Sequence, residues 1–245
     1  MGQSLSPKQL SYFSYLSGIL TAGGMGLLYI AGEDDKGLFP SMHIGWLLAC
    51  LVAVAGVLQV GYLSRNLGGK FRYRQLFAPS APAAAGTLAA GVGFAVDGVA
   101  NIFGHGDIYG ITCGFLCLAS AFALLFLARC RFTGQRPVFF VRAVVTVSLM
   151  LRLICCFRHW TDPQLQTYLF PLLSSVFLML ACYHRTTLDA GCGSRKAYVF
   201  TSQAAVILSC GAVFSDSWLF YLTAALWMGL DMPDLRPIKK LSSKD

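Results

Sequence analysis

Eight apolar runs divide the chain, and their lengths constrain its fold more than any other feature. They cover approximately residues 11–30, 43–63, 81–103, 108–127, 138–157, 166–183, 197–214 and 217–231. An α-helix needs about 20 apolar residues, with a range of about 17–25, to cross the hydrocarbon core of a bilayer. The first five runs meet this length comfortably, whereas the sixth and seventh are marginal and the eighth is short. The runs therefore predict an all-α, multi-pass membrane bundle.

The amino-acid composition favours lipid over water as the solvent of this chain. Of its residues, 56% are hydrophobic and only 12% are charged, whereas soluble domains usually carry about 25% charged residues. The net charge of +8 would suggest nucleic-acid binding in a soluble protein. No folded basic domain stands outside the apolar runs to do this. We therefore expect the lipid bilayer as the main partner and no nucleic acid.

Basic residues are distributed unevenly between the connections predicted on one side of the membrane and those predicted on the other. Fifteen lie at the two termini and in the connections after the second, fourth and sixth runs, against two, Lys36 and Arg158, in the remaining connections. Lys and Arg are enriched in cytoplasmic loops of membrane proteins. The pattern predicts that both termini are cytoplasmic, that the number of spans is even and that the eighth run also crosses. We expect one transmembrane domain over residues 1–245, with a possible helical-hairpin repeat, in the cytoplasmic membrane of the cell.

Two charged residues lie inside apolar runs, and they are the first candidates for a functional site. A charge near the centre of a bilayer costs about 2.5–3.5 kcal/mol on the lenient insertion scales. Asp97, Asn101 and His105 recur at i, i+4 and i+8, and so form one polar stripe at the outer end of the third span. Arg152 lies at a similar depth on the fifth span. An ion pair between Asp97 and Arg152 is therefore geometrically permitted, either as a brace between helices or as part of a binding cavity.

These charges lead to a hypothesis of binding or transport of a small polar or anionic solute in an outward-facing cavity. Arg152 would attract the anionic group, and Asp97 would be its counter-ion or a proton-coupling carboxylate. Asn101 and His43 would line the cavity. One alternative is a non-catalytic scaffold or partner subunit, and a further alternative is a small-molecule sensor. The residues favour a protein without enzymatic activity but do not decide the question. They identify neither a cofactor nor a partner protein.

Another alternative to solute binding is a membrane-embedded, metal-dependent hydrolase. Three histidines, His43, His105 and His159, are predicted at outer helix ends, and Asp162 follows the last of them. Imidazole and carboxylate groups are suitable ligands for zinc and other divalent metals, and a bound metal can activate a water molecule. No HExxH pattern supports this arrangement. The four residues are therefore candidate metal ligands only.

Other basic residues are expected at the cytoplasmic side. Residues 183–196 mix glycines with basic side chains and are interpreted as an interhelical turn. Within it, Arg185, Arg195 and Lys196 are candidates for binding a phosphate, with anionic lipid headgroups as the nearest source. Arg142 lies about five residues from the cytoplasmic end of the fifth span, and we expect its side chain to reach the inner headgroups.

A sequence resemblance concerns the C-terminal third. The stretch WTDPQLQ at residues 160–166, followed by YHRTTLDAG at residues 183–191, resembles a group of uncharacterised multi-pass membrane proteins of Gram-positive anaerobic bacteria. The resemblance implies a bacterial cytoplasmic membrane. It implies no activity and no site residues.

Overall fold

The described part of the chain is entirely helical. The computed structural model describes residues 7–31, 43–65, 79–104, 108–158 and 165–231. Within these ranges there are eight α-helices. They are α1 (Pro7–Ala31), α2 (Ile44–Ser64), α3 (Ala81–Gly104), α4 (Ile108–Thr133), α5 (Phe139–Arg158), α6 (Leu165–Ala190), α7 (Arg195–Gly211), which continues into a 3₁₀ turn at Ala212–Phe214, and α8 (Trp218–Asp231).

Six of these helices, α1 to α4, α6 and α7 with its 3₁₀ turn, are long and apolar enough to cross a membrane. The all-α prediction is confirmed, and the length and composition of these six helices are compatible with a multi-pass membrane protein. Helix α5 has a suitable length of 20 residues and carries Arg142, Arg152 and Arg158. Helix α8 is apolar but only 14 residues long.

Consecutive helices that pack against each other run antiparallel, as contacts between helix starts and helix ends show. Ser11 Oγ near the start of α1 donates to the Gly229 carbonyl near the end of α8, at 3.0 Å. The Ser80 N–H, which precedes α3, donates to the Arg131 carbonyl near the end of α4, at 3.3 Å. Arg131 also contacts Asp231, the last residue of α8. The starts of α1 and α3 and the ends of α4 and α8 therefore lie at one end of the bundle, here called the basic end.

Helix α7 is the most deeply buried of the six membrane-length helices, and four other helices pack against it. Every side chain of residues 201–209 is buried, and α7 contacts α1, α2, α6 and α8. Helices α1 and α2 approach closely because glycines face each other: a Cβ at Gly24 would lie 2.8 Å from the Gly45 carbonyl oxygen. Helix packing inside membranes commonly relies on such small residues.

Helices α4 and α6 extend well beyond the C-terminal ends of their apolar runs. Helix α6 continues to Ala190, so most of the segment interpreted as a turn, residues 183–196, is helical. Only residues 191–194 separate α6 from α7, and Gly191 has the positive φ of +89° that ends α6. Helix α4 likewise continues to Thr133. The extra turns carry charged residues that hydropathy assigns to loops, although several of them are buried.

Candidate functional site

The expected ion pair between Asp97 and Arg152 forms inside the bundle. Arg152 Nη1 contacts Asp97 Oδ2, and both side chains are almost fully buried. The same carboxylate oxygen accepts a hydrogen bond from Asn101 Nδ2 at 3.0 Å, and Asn101 also donates to the Asp97 carbonyl at 2.8 Å. The spacing of four residues brings Asp97 and Asn101 together on one face of α3. Sequence reasoning therefore identified three side chains that meet.

Helix α4 adds thiol groups to this cluster. The Cys117 thiol donates to Asp97 Oδ2 at 3.8 Å, and Ser148 Oγ of α5 donates to Cys117 Sγ at 3.6 Å. Asp97, Asn101, Cys117, Ser148 and Arg152 are together called the Asp97 cluster. It links three helices, and Asn101, Cys117 and Arg152 all contact the same carboxylate oxygen.

The guanidinium of Arg152 also lies against aromatic rings of α8. Its Cζ atom is 4.0 Å from the centroid of the Phe220 ring and 5.5 Å from that of Tyr221. A cation over an aromatic face gains about 0.5–2 kcal/mol, more when it is desolvated. The aromatic face therefore gives Arg152 a second source of stabilisation, which remains when its carboxylate partner changes.

His43 is placed away from the Asp97 cluster. Its Nδ1 atom accepts a hydrogen bond from the Gly45 N–H at 3.2 Å, so that it caps α2. The principal packing partners of α2 are α1 and α7, whereas the Asp97 cluster lies on α3, α4 and α5. The structure thus gives His43 a local role at a helix start.

A larger charged cluster lies at the basic end of the bundle, and its centre is Asp231, the last residue of α8. Asp231 Oδ1 accepts from Arg131 Nε at 2.8 Å and contacts Arg131 Nη2, also at 2.8 Å. Asp231 Oδ2 contacts Arg185 Nη1 at 3.1 Å and accepts from the Tyr198 hydroxyl at 2.5 Å. One carboxylate therefore connects α4, α6, α7 and α8.

A second carboxylate, Asp189 of α6, extends this cluster to α5. Asp189 Oδ2 contacts Arg142 Nε at 2.6 Å, and Asp189 Oδ1 lies 3.7 Å from Arg185 Nε on the same helix. The side chain of Asp189 is completely buried. Arg131, Arg142, Arg185, Asp189, Tyr198 and Asp231 are together called the Asp231 network. A small cavity beside it, lined by Arg131, Arg142 and Arg185, has a volume of about 10 Å³, which is space for one water molecule.

The expectation that Arg142 reaches the headgroups is wrong. Arg142 is 6% exposed and is bound to Asp189. A paired guanidinium inside the protein avoids both lipid and an uncompensated charge. Sequence reasoning missed the Asp231 network, although one signal was present: Arg185 and Asp189 are four residues apart and so share a helix face.

The three candidate phosphate-binding residues have different surroundings. Arg185 is 2% exposed and belongs to the Asp231 network, and Arg195 is also buried. Lys196, by contrast, is exposed and lines a cavity between α2 and α7. The structure therefore separates Lys196 from the other two.

The candidate metal site falls mainly on residues that are not described. His105, His159 and Asp162 lie outside the described ranges. Within those ranges, no group of three or more His, Cys, Asp or Glu side chains is arranged to hold a metal ion. The structure thus gives the hydrolase hypothesis no positive support.

Comparison of the chain with protein-family models, curated proteins and solved structures gives no match. The interpretation of both clusters therefore depends on their own geometry.

Proposed function

We propose that all eight helices cross the membrane and that both termini are cytoplasmic. The antiparallel succession of the helices supports this topology, since α5 and α8 each reverse the direction of the preceding helix. The charges of α5 support it too, because Arg142 and Arg152 have buried carboxylate partners and need not face lipid. Arg131, Arg185 and Arg195 are buried rather than in loops, but without them the asymmetry of basic residues is still twelve against two.

Cys192 offers a test of this topology. It lies in the short connection between α6 and α7, and it is the one exposed cysteine among the described thiols. We expect a membrane-impermeant maleimide to label the protein only after the cells are permeabilised, and we expect Cys192→Ser to abolish that labelling. Labelling of Cys192 in intact cells would contradict the proposed orientation.

For the activity, we propose that the Asp97 cluster binds a small anionic solute, for transport or for sensing. The observation that carries this proposal is the position of Arg152, a buried cation between one carboxylate and an aromatic face. An anionic group of similar size can replace the Asp97 carboxylate at the guanidinium, because charge-assisted contacts to Arg are interchangeable between carboxylates and phosphates. Intramembrane ionisable residues commonly mark solute pathways.

The rival proposal is a scaffold in which the pair is only a brace. The Asp231 network favours it, because it shows that this bundle also connects its helices through buried ion pairs. The two proposals differ in what happens when both charges are removed. If the ion pair is only a brace, removal of both charges leaves anion binding unchanged. If the pair is an anion site, removal of both charges weakens anion binding.

The experiment uses acetate and inorganic phosphate as probes of the purified protein in detergent. We expect at least one of them to raise the unfolding temperature of the wild type in a saturable way. The double variant Asp97→Asn with Arg152→Gln should remain folded and lose at least about tenfold in affinity, since a buried charge–charge contact is lost. Arg129→Gln, which removes an exposed arginine of α4, is the matched control. Unchanged binding by the double variant, or binding of neither probe by the wild type, would favour the scaffold.

A further inference from the structure

A cavity of about 520 Å³, widely open to the protein surface, lies between the end of α2 and the start of α7. Ligand pockets commonly have volumes of about 300–1,000 Å³. Most of its wall is apolar, with Val57 and Leu58 on one side and Phe200 on the other. Gly61 widens it, because this residue presents no side chain towards Phe200; a Cβ there would lie 3.3 Å from Phe200 Cε2.

Two cations line the same cavity. Arg65 directly follows the last residue of α2, and Lys196 is the second residue of α7. Both are exposed, and none of the described residues that line this cavity is acidic. Their surroundings differ from those of the buried arginines of the Asp231 network, which contact Asp189 and Asp231.

The position of the cavity relative to the bilayer follows from its outer residues. Leu58 and Tyr62 are each 69% exposed on the surface of α2. Tyrosine is enriched at membrane–water interfaces, where its ring contacts the headgroup region. The apolar part of the cavity is therefore accessible from the hydrocarbon region, and Arg65 and Lys196 lie at its headgroup end.

We propose that this cavity binds one anionic phospholipid. An acyl chain lies along Val57, Leu58 and Phe200, and the headgroup phosphate lies between Arg65 and Lys196. An apolar wall that ends in two cations complements the two parts of such a lipid, whereas a free anion would leave the wall unused. The inference uses the proposed topology only to place the site in the cytoplasmic leaflet, where anionic lipids are enriched.

The test measures the selectivity of the protein for anionic lipid in vesicles. The full chain is reconstituted in phosphatidylcholine and phosphatidylglycerol at a ratio of about three to one, and the association of spin-labelled phosphatidylglycerol is followed by electron paramagnetic resonance. We expect Arg65→Gln and Lys196→Gln each to lower the relative affinity for phosphatidylglycerol about fivefold, which corresponds to about 1 kcal/mol. Arg129→Gln, which removes an exposed cation from the same end of the bundle, should change it little. The affinity for spin-labelled phosphatidylcholine should stay the same in all three variants.

Three results would overturn the proposal. Equal losses in Arg129→Gln and the two cavity variants would show general surface attraction instead of a site. Unchanged affinity in both cavity variants would exclude their role. Competition by glycerol phosphate at the same concentration as lipid would show a site for free anions. Because both leaflets contain the lipid, none of these results depends on the orientation of the chain, and none involves the Asp97 cluster.

Discussion

Replacement of Asp231 by asparagine is expected to destabilise the protein by about 3–5 kcal/mol, because it removes one partner of a buried ion pair. The carboxylate contacts two arginines, Arg131 and Arg185, and accepts from Tyr198. Asparagine has nearly the same shape but no charge. The two guanidiniums would then lose their attraction to a carboxylate that is only 4% exposed, and so only weakly screened by water.

The effect can be measured as a loss of thermal stability in detergent. Each kcal/mol shifts the unfolding temperature by about 2–4 °C in a protein of this size, so we expect a decrease of about 10 °C. Asp216→Asn is the matched control, because Asp216 is exposed just before α8; it should change the unfolding temperature by less than about 2 °C. Similar unfolding temperatures for the two variants would show that the Asp231 network does not stabilise the bundle.

Replacement of Asp97 by asparagine is expected to have a similar effect at the other cluster. Arg152 would keep its contacts with the rings of Phe220 and Tyr221, but it would lose the carboxylate. Removal of one partner from a buried ion pair costs about 3–5 kcal/mol, whereas removal of both charges costs much less. The unfolding temperature of Asp97→Asn should therefore fall by roughly 10 °C.

The double variant Asp97→Asn with Arg152→Gln should regain most of that loss. The single variants and the double variant form a thermodynamic cycle, which isolates the coupling between the two side chains. We expect a coupling of at least about 1.5 kcal/mol. Additive losses would mean that the two residues stabilise the protein independently, and would contradict the role of the ion pair. The regained stability is also what makes the double variant suitable for the anion-binding test.

The positions of the helices were predictable from hydropathy, because the bilayer requires a long apolar run for each helix. The starts of α2, α3 and α8 lie within one residue of the runs. The ends of α4 and α6 were predicted too early, because hydropathy places charged residues outside the helix. Arg131, Arg185 and Asp189 are instead buried, since their partners on other helices neutralise them.

The Asp97 cluster was predictable for a different reason. Asp97 and Arg152 lie inside their apolar runs, several residues from the end of each, and hydropathy marks such charges as exceptional. Asp231 and Tyr198 lie near the ends of their helices, where charged and polar groups are ordinary. Their pairing with Arg131 and Arg185 depends on which helices are neighbours, and the local sequence does not contain that information.

The arginines of α5 also have a consequence for how the protein is made. Under the proposed topology, α5 enters the membrane through the insertion machinery after α3, so Asp97 is already in place when Arg152 emerges. The partner of Arg142, Asp189, is synthesised about 47 residues later, together with the end of α6. Helix α5 therefore depends on an earlier helix for one charge and on a later helix for the other. The helix with three arginines is in this way integrated stably only as part of a group of helices, and α6 completes that group.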